Sequence, residues 1–514
     1  MTDTIRILWV DDEVEFLKPH ILFLENKGYK VSTSSNGEDA LDMIKSEHFD
    51  IMFLDENMPG MTGLDTLEQI EDHTLPVVMV TKSEEESIMD MAIGAKIADY
   101  LIKPVNPMQI LLTIKKHFDK NRLIGEKTTQ DYQREFRTLS MDISMANSFE
   151  DWTSIYKKLC YWDLELNTTD QSMSEVINIQ KRQANADFFK FIKTQYQDWF
   201  DYSDEAPTLS HTAFKKLAFP QIQSSEKTCL IVIDNLRYDQ YLELKPLIVE
   251  LFKQQEERTY YSILPTTTQY ARNAFFSGLT PLVLSKSHPD KWKFDHEDGG
   301  KNDHEAFFLN QQLERYGFDE PWHFEKIIKQ SYGEKVLRDY HKWSKNKFNC
   351  LIYNFVDMLS HAKTNSDMIK ELSSSDKAYR DLTRTWFVNS SLYQVLKKLA
   401  EDHTTVMLTT DHGMISIEEP IKIIGDKDTS TNLRYKTGRN LSLENSKSVY
   451  DIPEPEAIQL PKSHNSSSFV FAKAYHYLAY PNNYKKFVQY YKDTYQHGGI
   501  SMEEMICPFV VLKP

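Results

Sequence analysis

The sequence predicts an α/β protein built from more than one domain. The chain has 514 residues, more than a single hydrophobic core usually organises. Short β-rich runs alternate with amphipathic segments at the N-terminus and again beyond residue 206, and several of these runs end in aspartate. Alternation of this kind is typical of parallel sheets, whose functional groups gather at the carboxyl ends of the strands.

Composition argues against several classes of protein: nucleic-acid binding, membrane-inserted, secreted and disulfide-bonded. The formal net charge of −16 argues against binding driven by nucleic-acid phosphates or by an anionic membrane surface. The four cysteines include no CxxC pair, and three of them lie in apolar runs, which indicates reduced core residues. No run approaches the roughly 20 apolar residues that cross a bilayer, and no secretory signal is visible. We therefore expect a cytoplasmic protein with no membrane insertion.

Residues 1–120 carry polar groups at the ends of five candidate strands. The strands are "IRILWV", "KVSTS", "DIMFLD", "PVVMVT" and "DYLIKP", and the groups that follow or end them are Asp11, Asp12, Asp55, Thr81 and Lys103. Three carboxylates in one place repel one another unless a cation is present, and oxygen ligands suit Mg²⁺. A hydroxyl and a lysine beside them could hold an anion next to that metal.

This region resembles the receiver domains of two-component response regulators, through "WVDDE", "FLDENMPGMTGLD", "VTKS" and "GAKIADYLIKPV". The resemblance implies a flavodoxin-like fold, with Asp55 as the phosphoryl acceptor and a sensor histidine kinase as the donor. It gives Mg²⁺ the side chains of Asp12 and Asp55 and the backbone carbonyl of Asn57. Asp11 completes the acidic pocket, Thr81 and Lys103 contact the phosphoryl group, and Tyr100 is the aromatic switch residue. We further expect phosphorylation to stabilise a homodimer.

Residues 121–205 lack β-rich runs and show helical spacing of apolar residues without internal proline, which predicts a helical bundle linking two α/β domains. Aromatic residues recur every three or four positions, a pattern more typical of a core than of a ligand site. No basic recognition helix is evident, so we expect no direct DNA-binding domain.

Residues 206–514 predict a second set of strands with acidic ends. "CLIVID" ends at Asp234, "CLIYNFVD" at Asp357, and "TVMLTTDH" at Asp411 and His412. His361 follows Asp357 by four residues, a spacing that puts both side chains on one face of a helix. Farther along lie the hydroxyls of "LPTTTQ" and the imidazole of His497. Mixed nitrogen and oxygen ligands favour Zn²⁺, with Mn²⁺ possible, and two adjacent divalent ions suit phosphoryl transfer.

The same residues resemble the alkaline phosphatase superfamily, most closely its PglZ branch, through "VIDNLRYD", "PTTTQYARNAFFSG", "TTDHGM" and "HGGISMEEMICPFVVL". The resemblance implies one zinc on Asp357, His361 and His497. The second zinc takes the remaining ligands together with the nucleophile: Asp234, Asp411, His412 and Thr268. The family spacing to Gly278 selects Thr268 as the catalytic residue.

Threonine in that position is more usual in the phosphodiesterases of the superfamily, so we expect a diester substrate, such as a short or cyclic oligonucleotide. Arg272 could contact a substrate phosphate or form a structural ion pair. His464 and the cluster Arg434, Lys436 and Arg439 could reach the far end of a substrate or lie in a solvated loop.

A receiver, a helical linker and a PglZ-type domain in this order resemble the PorX-type response regulators, which govern type IX secretion in Bacteroidetes. The resemblance implies contacts with the cytoplasmic side of the secretion motor and with an extracytoplasmic-function sigma factor. Two functions remain open at this point. One is a phosphorylation-dependent two-zinc phosphodiesterase, and the other is a non-catalytic interaction module with structural metals.

Overall fold

The computed structural model describes residues 4–70, 74–82, 97–118, 120–167, 171–202, 205–426, 429–443 and 446–514. The chain divides into two compact units, Met1–Lys127 and Thr128–Pro514. Each unit has its own sheet and its own hydrophobic core.

The first unit is a five-stranded parallel sheet flanked by helices, with strand order β2-β1-β3-β4-β5. The strands are β1 (Arg6–Val10), β2 (Lys30–Ser34), β3 (Ile51–Asp55), β4 (Val77–Thr81) and β5 (Asp99–Ile102). The helices in the described part of this unit are α1 (Val14–Glu25), α2 (Gly37–Ser46), α3 (Gly63–Glu68) and α4 (Pro107–Phe118), and α5 (Lys120–Met145) continues into the second unit.

Apolar residues alternate between two cores on opposite faces of this sheet. In β1, Leu8 and Val10 belong to one cluster, whereas Ile7 and Trp9 belong to the other. Successive side chains of a strand point to opposite faces, so a strand that is apolar throughout must be covered on both sides. This placement leaves the carboxyl ends of β1, β3, β4 and β5 as the polar edge of the sheet.

The second unit begins with helices and continues as a larger α/β body. Its helices after α5 are α6 (Phe149–Asn167), α7 (Gln171–Gln195), α8 (Asp198–Asp201), α9 (Ser210–Ala213), α10 (Phe219–Ser224), α11 (Tyr238–Val249), α12 (Asn273–Ser277), α13 (Pro281–Ser287), α14 (Glu305–Arg315), α15 (Gln330–Arg338), α16 (Tyr340–Trp343), α17 (Phe355–Asn365), α18 (Asp367–Leu372), α19 (Asp376–Asn389), α20 (Ser391–Glu401), α21 (Tyr484–Tyr491) and α22 (Met502–Met505). Two π-helical turns cover Phe214–Ala218 and Thr268–Arg272.

A six-stranded sheet forms the centre of the second unit, in the order β7-β19-β10-β6-β9-β8. Its strands are β6 (Thr228–Ile233), β7 (Gln254–Tyr261), β8 (Trp322–Ile327), β9 (Phe348–Tyr353), β10 (Thr405–Thr409) and β19 (Ile506–Lys513). Strands β10, β6, β9 and β8 are parallel, and β19 is antiparallel to both of its neighbours. The remaining strands form small sheets: β11 (Ile415–Ser416), β12 (Glu419–Ile424), β13 (Tyr435–Gly438), β14 (Ser442–Leu443), β15 (Val449–Ile452), β16 (Ser468–Ala472), β17 (His476–Ala479) and β18 (Tyr495–Gln496). The predicted α/β class is confirmed.

The helices α6 and α7 share one hydrophobic core with the large sheet. Trp152 of α6 packs on Phe188 of α7 with ring centroids 5.5 Å apart, and Trp199 meets Tyr261 of β7 at the same separation. The helical segment is therefore packed into the α/β body from Thr128 onward. The domain limits 1–120, 121–205 and 206–514 stay a prediction.

One strand is shorter than the sequence predicts. The run "CLIYNFVD" continues as a strand only to Tyr353, and α17 begins at Phe355. Asp357 consequently lies in the first turn of a helix, one turn before His361. Within the described part of the chain, no helix combines the length and the apolar character needed to cross a membrane.

Candidate functional site

The polar edge of the first sheet brings the predicted acidic residues together. Asp11, Asp12 and Asp55 each offer a carboxylate oxygen within 4.8 Å of the others. Lys103, which follows β5, places its Nζ 2.7 Å from Asp11 Oδ2 and 2.9 Å from Asp55 Oδ2. The ammonium group thus joins two of the three carboxylates.

The negative charge of Asp55 is only partly balanced by the ammonium group of Lys103. Burial raises the pKa of its carboxyl above the usual range, although Lys103 lowers it in part. Asp55 Oδ1 is buried and has no hydrogen-bond partner among the described residues. A buried oxygen without a partner, beside two further carboxylates, fits a hard cation such as Mg²⁺.

The other predicted residues of this pocket lie around the same edge. The backbone N–H of Asn57 lowers the pKa of Asp55, and Thr81 is fully buried at the end of β4. Tyr100 is half-buried in β5 and packs against one of the two cores of this unit. Their roles in phosphoryl transfer and switching stay predictions.

The predicted metal ligands of the second unit form two groups. The inner group, Asp234, Asp411 and His412, is fully buried, and its ligand atoms lie within 4.8 Å of one another. The outer group, Asp357, His361 and His497, has the same spacing but reaches the surface. The inner residues follow the neighbouring parallel strands β6 and β10, and the outer acid follows β9, so the sheet topology brings all of them to one edge.

Thr268 lies against the inner group at the start of a π-helical turn. Its Oγ1 is 3.2 Å from His412 Nε2 and 3.4 Å from Asp234 Oδ1. His412 Nδ1 is 3.1 Å from the carbonyl oxygen of Gly413, so Nδ1 carries the proton and donates it. The lone pair of His412 Nε2 then faces the Thr268 hydroxyl and the two carboxylates.

Each inner carboxylate has one oxygen engaged and one available. Asp411 Oδ1 accepts the backbone N–H groups of Asn235 and His412, whereas Asp411 Oδ2 has no hydrogen-bond partner among the described residues. Asp411 Oδ2 lies 3.6 Å from His412 Nε2. The available oxygen therefore lies near the imidazole nitrogen whose lone pair faces the Thr268 hydroxyl, and both atoms could bind one cation.

Asp234 is oriented in the same way. Its Oδ2 accepts from Asn354 Nδ2 at 2.9 Å and pairs with Arg272 Nη1 at 2.8 Å, which leaves Oδ1 toward Thr268. Burial raises the pKa of Asp234, and burial lowers the pKa of His412 to about 4, which keeps the imidazole neutral. A neutral imidazole and two monodentate carboxylates match the ligands of a divalent metal.

The outer group is arranged around Asp357. His361 Nε2 lies 3.5 Å from Asp357 Oδ2, and His497 Nε2 lies 3.6 Å from Asp357 Oδ1. His497 Nδ1 is 3.3 Å from the carbonyl oxygen of Thr266, an orienting contact typical of metal-bound histidines. Burial alone would raise the pKa of Asp357, but the hydrogen bond from His497 lowers it below the usual range.

The two groups are adjacent. The rings of His412 and His497 stack with centroids 4.4 Å apart, and Asn235 contributes to both groups. Its backbone N–H donates to Asp411, and its side-chain amide lies 3.4 Å from Asp357 Oδ1. Two nitrogen–oxygen sites in contact through one ring pair fit two divalent cations beside one hydroxyl.

Arg272 forms a structural ion pair, one of the two roles that the sequence analysis considered for it. Its side chain is fully buried between Asp234 and Glu305, with Nε 2.5 Å from Glu305 Oε1. Lys326 Nζ, which is partly exposed, lies 2.9 Å from the other oxygen of Glu305 and extends this chain of charges toward the surface. This geometry does not support substrate binding by Arg272, because its side chain is fully buried and its Nε and Nη1 pair with carboxylates.

The basic residues considered for contact with the far end of a substrate differ in their exposure to solvent. His464 is exposed and contacts its neighbour Ser466, as a solvated loop residue does. Arg434 and Lys436 are fully buried, which contradicts both of the roles considered from the sequence. Arg434 pairs with Glu504 at 2.7 Å, and Lys436 donates to the Ser430 carbonyl at 2.9 Å. Only Arg439, paired with Asp426, remains at the surface.

Sequence reasoning missed the amides that orient the carboxylates. Asn235 directly follows the predicted ligand Asp234, and Asn354 directly follows β9. The position of Asn354 after a buried strand was the available signal. Glu305 gave none, because it begins a helix some 30 residues from its partner Arg272.

Comparison with known proteins accounts for the three parts of the chain. The response regulator receiver domain matches residues 7–115, the PorX response regulator linker domain matches 122–200, and the BREX system PglZ alkaline phosphatase-like domain matches 213–512. These matches define a response regulator that carries a phosphatase-like domain. The match to the PglZ alkaline phosphatase-like domain covers more than half of this chain. The chain therefore belongs to the PglZ alkaline phosphatase-like family. Its order of domains is that of the PorX-type response regulators.

Individual relatives match about a fifth of this chain. The regulatory protein VanR of Enterococcus faecium is 35% identical over 113 residues, 21% of this chain and 48% of VanR. The transcriptional regulatory protein ResD of Bacillus subtilis is 31% identical over 115 residues, 22% of this chain and 48% of ResD. This chain thus spans about half the length of these relatives. A CheY-like receiver domain protein from Methanospirillum hungatei JF-1 is 30% identical, with a TM-score of 0.22 over 23% of this chain and 96% of that structure.

These comparisons carry two consequences. A receiver domain implies an upstream kinase and binds Mg²⁺. A phosphatase-like domain of this superfamily is generally metal-dependent and suggests hydrolysis of a phosphoryl compound.

Proposed function

We propose that this chain is a response regulator, phosphorylated on Asp55, whose output domain hydrolyses phosphodiesters at a two-zinc centre. The observation that carries the proposal is the Thr268 hydroxyl, which lies within hydrogen-bond reach of both Asp234 and His412. The inner and outer groups would each hold one zinc ion. Short or cyclic oligonucleotides are the proposed substrates, and regulation of type IX secretion is the proposed biological role.

The arrangement supports Thr268 as a nucleophile. Its hydroxyl donates toward Asp234 Oδ1, which leaves a lone pair of Oγ1 for attack on phosphorus. In-line attack would transfer the phosphoryl group to Thr268 and release one alcohol, and water would then cleave that ester. Bound zinc would lower the pKa of the hydroxyl and stabilise the charge on the phosphoryl oxygens.

The surroundings of Thr268 support a diester rather than a monoester. A monoester carries a second negative charge, which enzymes commonly neutralise with an arginine. Arg272, the nearest guanidinium on the same element, is already committed to Asp234 and Glu305. A diester carries one charge only, which two divalent cations are sufficient to balance.

The test combines elemental analysis with hydrolysis of an activated diester and an activated monoester. Wild-type protein should bind two zinc ions per chain and cleave the diester faster. Thr268→Val, which keeps the shape and removes the hydroxyl, should retain both ions and lose cleavage, whereas Thr268→Ser should retain part of it. Diester cleavage that is equal in wild-type protein and Thr268→Val would refute the proposal.

The same variant separates catalysis from a role as an interaction module. If Thr268→Val restores secretion in a deletion strain as well as the wild type does, signalling depends on binding and not on hydrolysis. Its partners would then be the secretion motor and an extracytoplasmic-function sigma factor, acting downstream of a sensor histidine kinase. Loss of secretion with intact zinc content supports the enzyme.

A further inference from the structure

A short segment at the C-terminal side of the site holds both histidine-bearing loops. Residues 501–505, which we call the bracket, comprise the N-cap Ser501 and helix α22. The backbone carbonyl of Glu504 accepts the N–H of Gly413, next to His412, at 3.1 Å. Its carboxylate accepts the N–H of Gly499, two residues after His497, at 2.9 Å. One residue thus binds the backbone beside an inner and an outer ligand.

The contact between the bracket and the loop of Gly413 leaves no room for a side chain, and Gly499 packs closely on Arg434, which pairs with Glu504 of the bracket. A Cβ on Gly413 would lie 2.0 Å from the carbonyl oxygen of Glu503. A Cβ on Gly499 would lie 2.7 Å from the Arg434 guanidinium. Because packing this close transmits displacement, a shift of the bracket must move the loops that carry His412 and His497.

The bracket also holds the segment that carries the nucleophile. The carbonyl of Met505 accepts the N–H of Ser262 at 2.7 Å, and the Ser262 hydroxyl donates to the carbonyl of Asp411 at 2.8 Å. Thr266 donates its hydroxyl to the carbonyl of Gly499 at 3.0 Å. The three loops of the site are therefore connected through residues 501–505.

Asn185 attaches the bracket to helix α7. Asn185 is fully buried, and its Nδ2 lies 2.9 Å and 3.2 Å from the two carboxylate oxygens of Glu503. Its Oδ1 accepts the N–H of Met502 at 2.9 Å. A single amide therefore accepts the first N–H group of α22 and donates to a buried carboxylate. Loss of either partner would leave a buried polar group without a hydrogen bond.

We infer that Asn185 is a positioning residue through which helix α7 sets the affinity of the metal centre for divalent cations. The inference rests on the proposed two-metal centre, which it extends by naming a route of regulation. Asn185 touches no ligand atom and acts through the bracket on the loops of His412 and His497. A movement of α7 relative to the large sheet would therefore displace the loops of His412 and His497 and alter how these residues hold a metal ion.

The experiment exchanges the amide and the carboxylate of the hydrogen bond between Asn185 and Glu503. Asn185→Asp places a second carboxylate against Glu503 and removes both N–H donors, while it keeps the acceptor for Met502. Combining it with Glu503→Gln restores a donor, now on the bracket side. Asn178→Asp makes the same chemical change at an exposed position of α7 and is the matched control. Zinc affinity is measured by competition with a chromogenic chelator, and thermal unfolding of the metal-free proteins is recorded in parallel.

Asn185→Asp should lower zinc affinity by about tenfold to a hundredfold, the range found for groups that orient metal ligands from outside. The double variant should recover most of the affinity, and the control should match the wild type. Should Asn185→Asp not fold, Asn185→Ser removes the same donors without adding a charge.

Two outcomes overturn the inference, and they differ from failure of the proposed function. Wild-type affinity in a folded variant at residue 185 shows that the bracket does not control the centre, although the enzyme proposal survives. Lost affinity without recovery in the double variant shows general damage and not positioning. A wild-type protein that binds no zinc removes the proposed function itself.

Discussion

Replacement of Arg272 by methionine tests the charge balance of the inner group. The guanidinium lies 2.8 Å from Asp234, 3.7 Å from Asp411 and 2.5 Å from Glu305, and no part of it is exposed. Methionine has a similar volume and no charge, so the variant leaves these carboxylates buried with less compensation. Breaking a buried ion pair by removing one partner costs about 3–5 kcal/mol.

That cost can be expressed as a melting temperature. At roughly 2.1 cal/mol/K per residue, the unit Thr128–Pro514 unfolds with an entropy of about 0.8 kcal/mol/K. The metal-free variant should therefore melt about 4–6 °C below the metal-free wild type. Saturating zinc should recover part of this difference, because the cation supplies positive charge to Asp234 and Asp411.

Calorimetry with and without zinc is the assay, and Arg384→Met is the control. Arg384 is half-exposed and lies 3.8 Å from Glu243, so its loss should cost less than about 1 kcal/mol. Equal melting temperatures for the Arg272 variant and this control would contradict the ion-pair account. A variant that zinc stabilises less than the wild type would contradict the assignment of the inner group as a metal site.

Three further predictions concern pH, metal and phosphorylation. Burial lowers the pKa of Lys436 to about 7, so above that pH the unfolded chain holds a proton that the folded chain lacks. Stability should then rise between pH 7 and about 10, and Lys436→Met should flatten the rise by up to about 4 kcal/mol in pH-dependent chemical denaturation. Chelation from a hundredfold excess of zinc over its Kd should remove about 2.7 kcal/mol per ion, or about 5.4 kcal/mol for two ions, measured as a melting shift of about 7 °C. Beryllofluoride with Mg²⁺ should produce a dimer in sedimentation that Asp55→Asn does not form.

The sequence predicted the candidate ligands because strand ends are readable and parallel strands share an edge, whereas their division into two groups came from the family resemblance. Asp234 and Asp411 follow apolar runs of strand length, and the neighbouring positions of β6 and β10 bring them together. The interval from Asp357 to His361 was informative because both lie on one helix. These signals depend on local periodicity, which can be read from one amino-acid sequence.

The burial of Arg434 and Lys436 was not predictable in the same way. Both lie in or beside the short strand β13, and their charges resemble an exposed basic loop. Their burial depends on Glu504 and on the Ser430 carbonyl, partners that no spacing rule connects to them. The end of β9 at Tyr353 was missed because the apolar residues after it continue into helix α17.

The shared core of α6, α7 and the large sheet restricts how this protein can be divided. A shortened protein beginning at residue 206 would lose Phe188 and Trp199, whose rings pack on Tyr261, and this part of the Tyr261 ring would meet water. It would also lose the amide that holds the bracket. Isolated fragments of the second unit should therefore begin before α6, because a shorter fragment lacks part of the core that supports the candidate site.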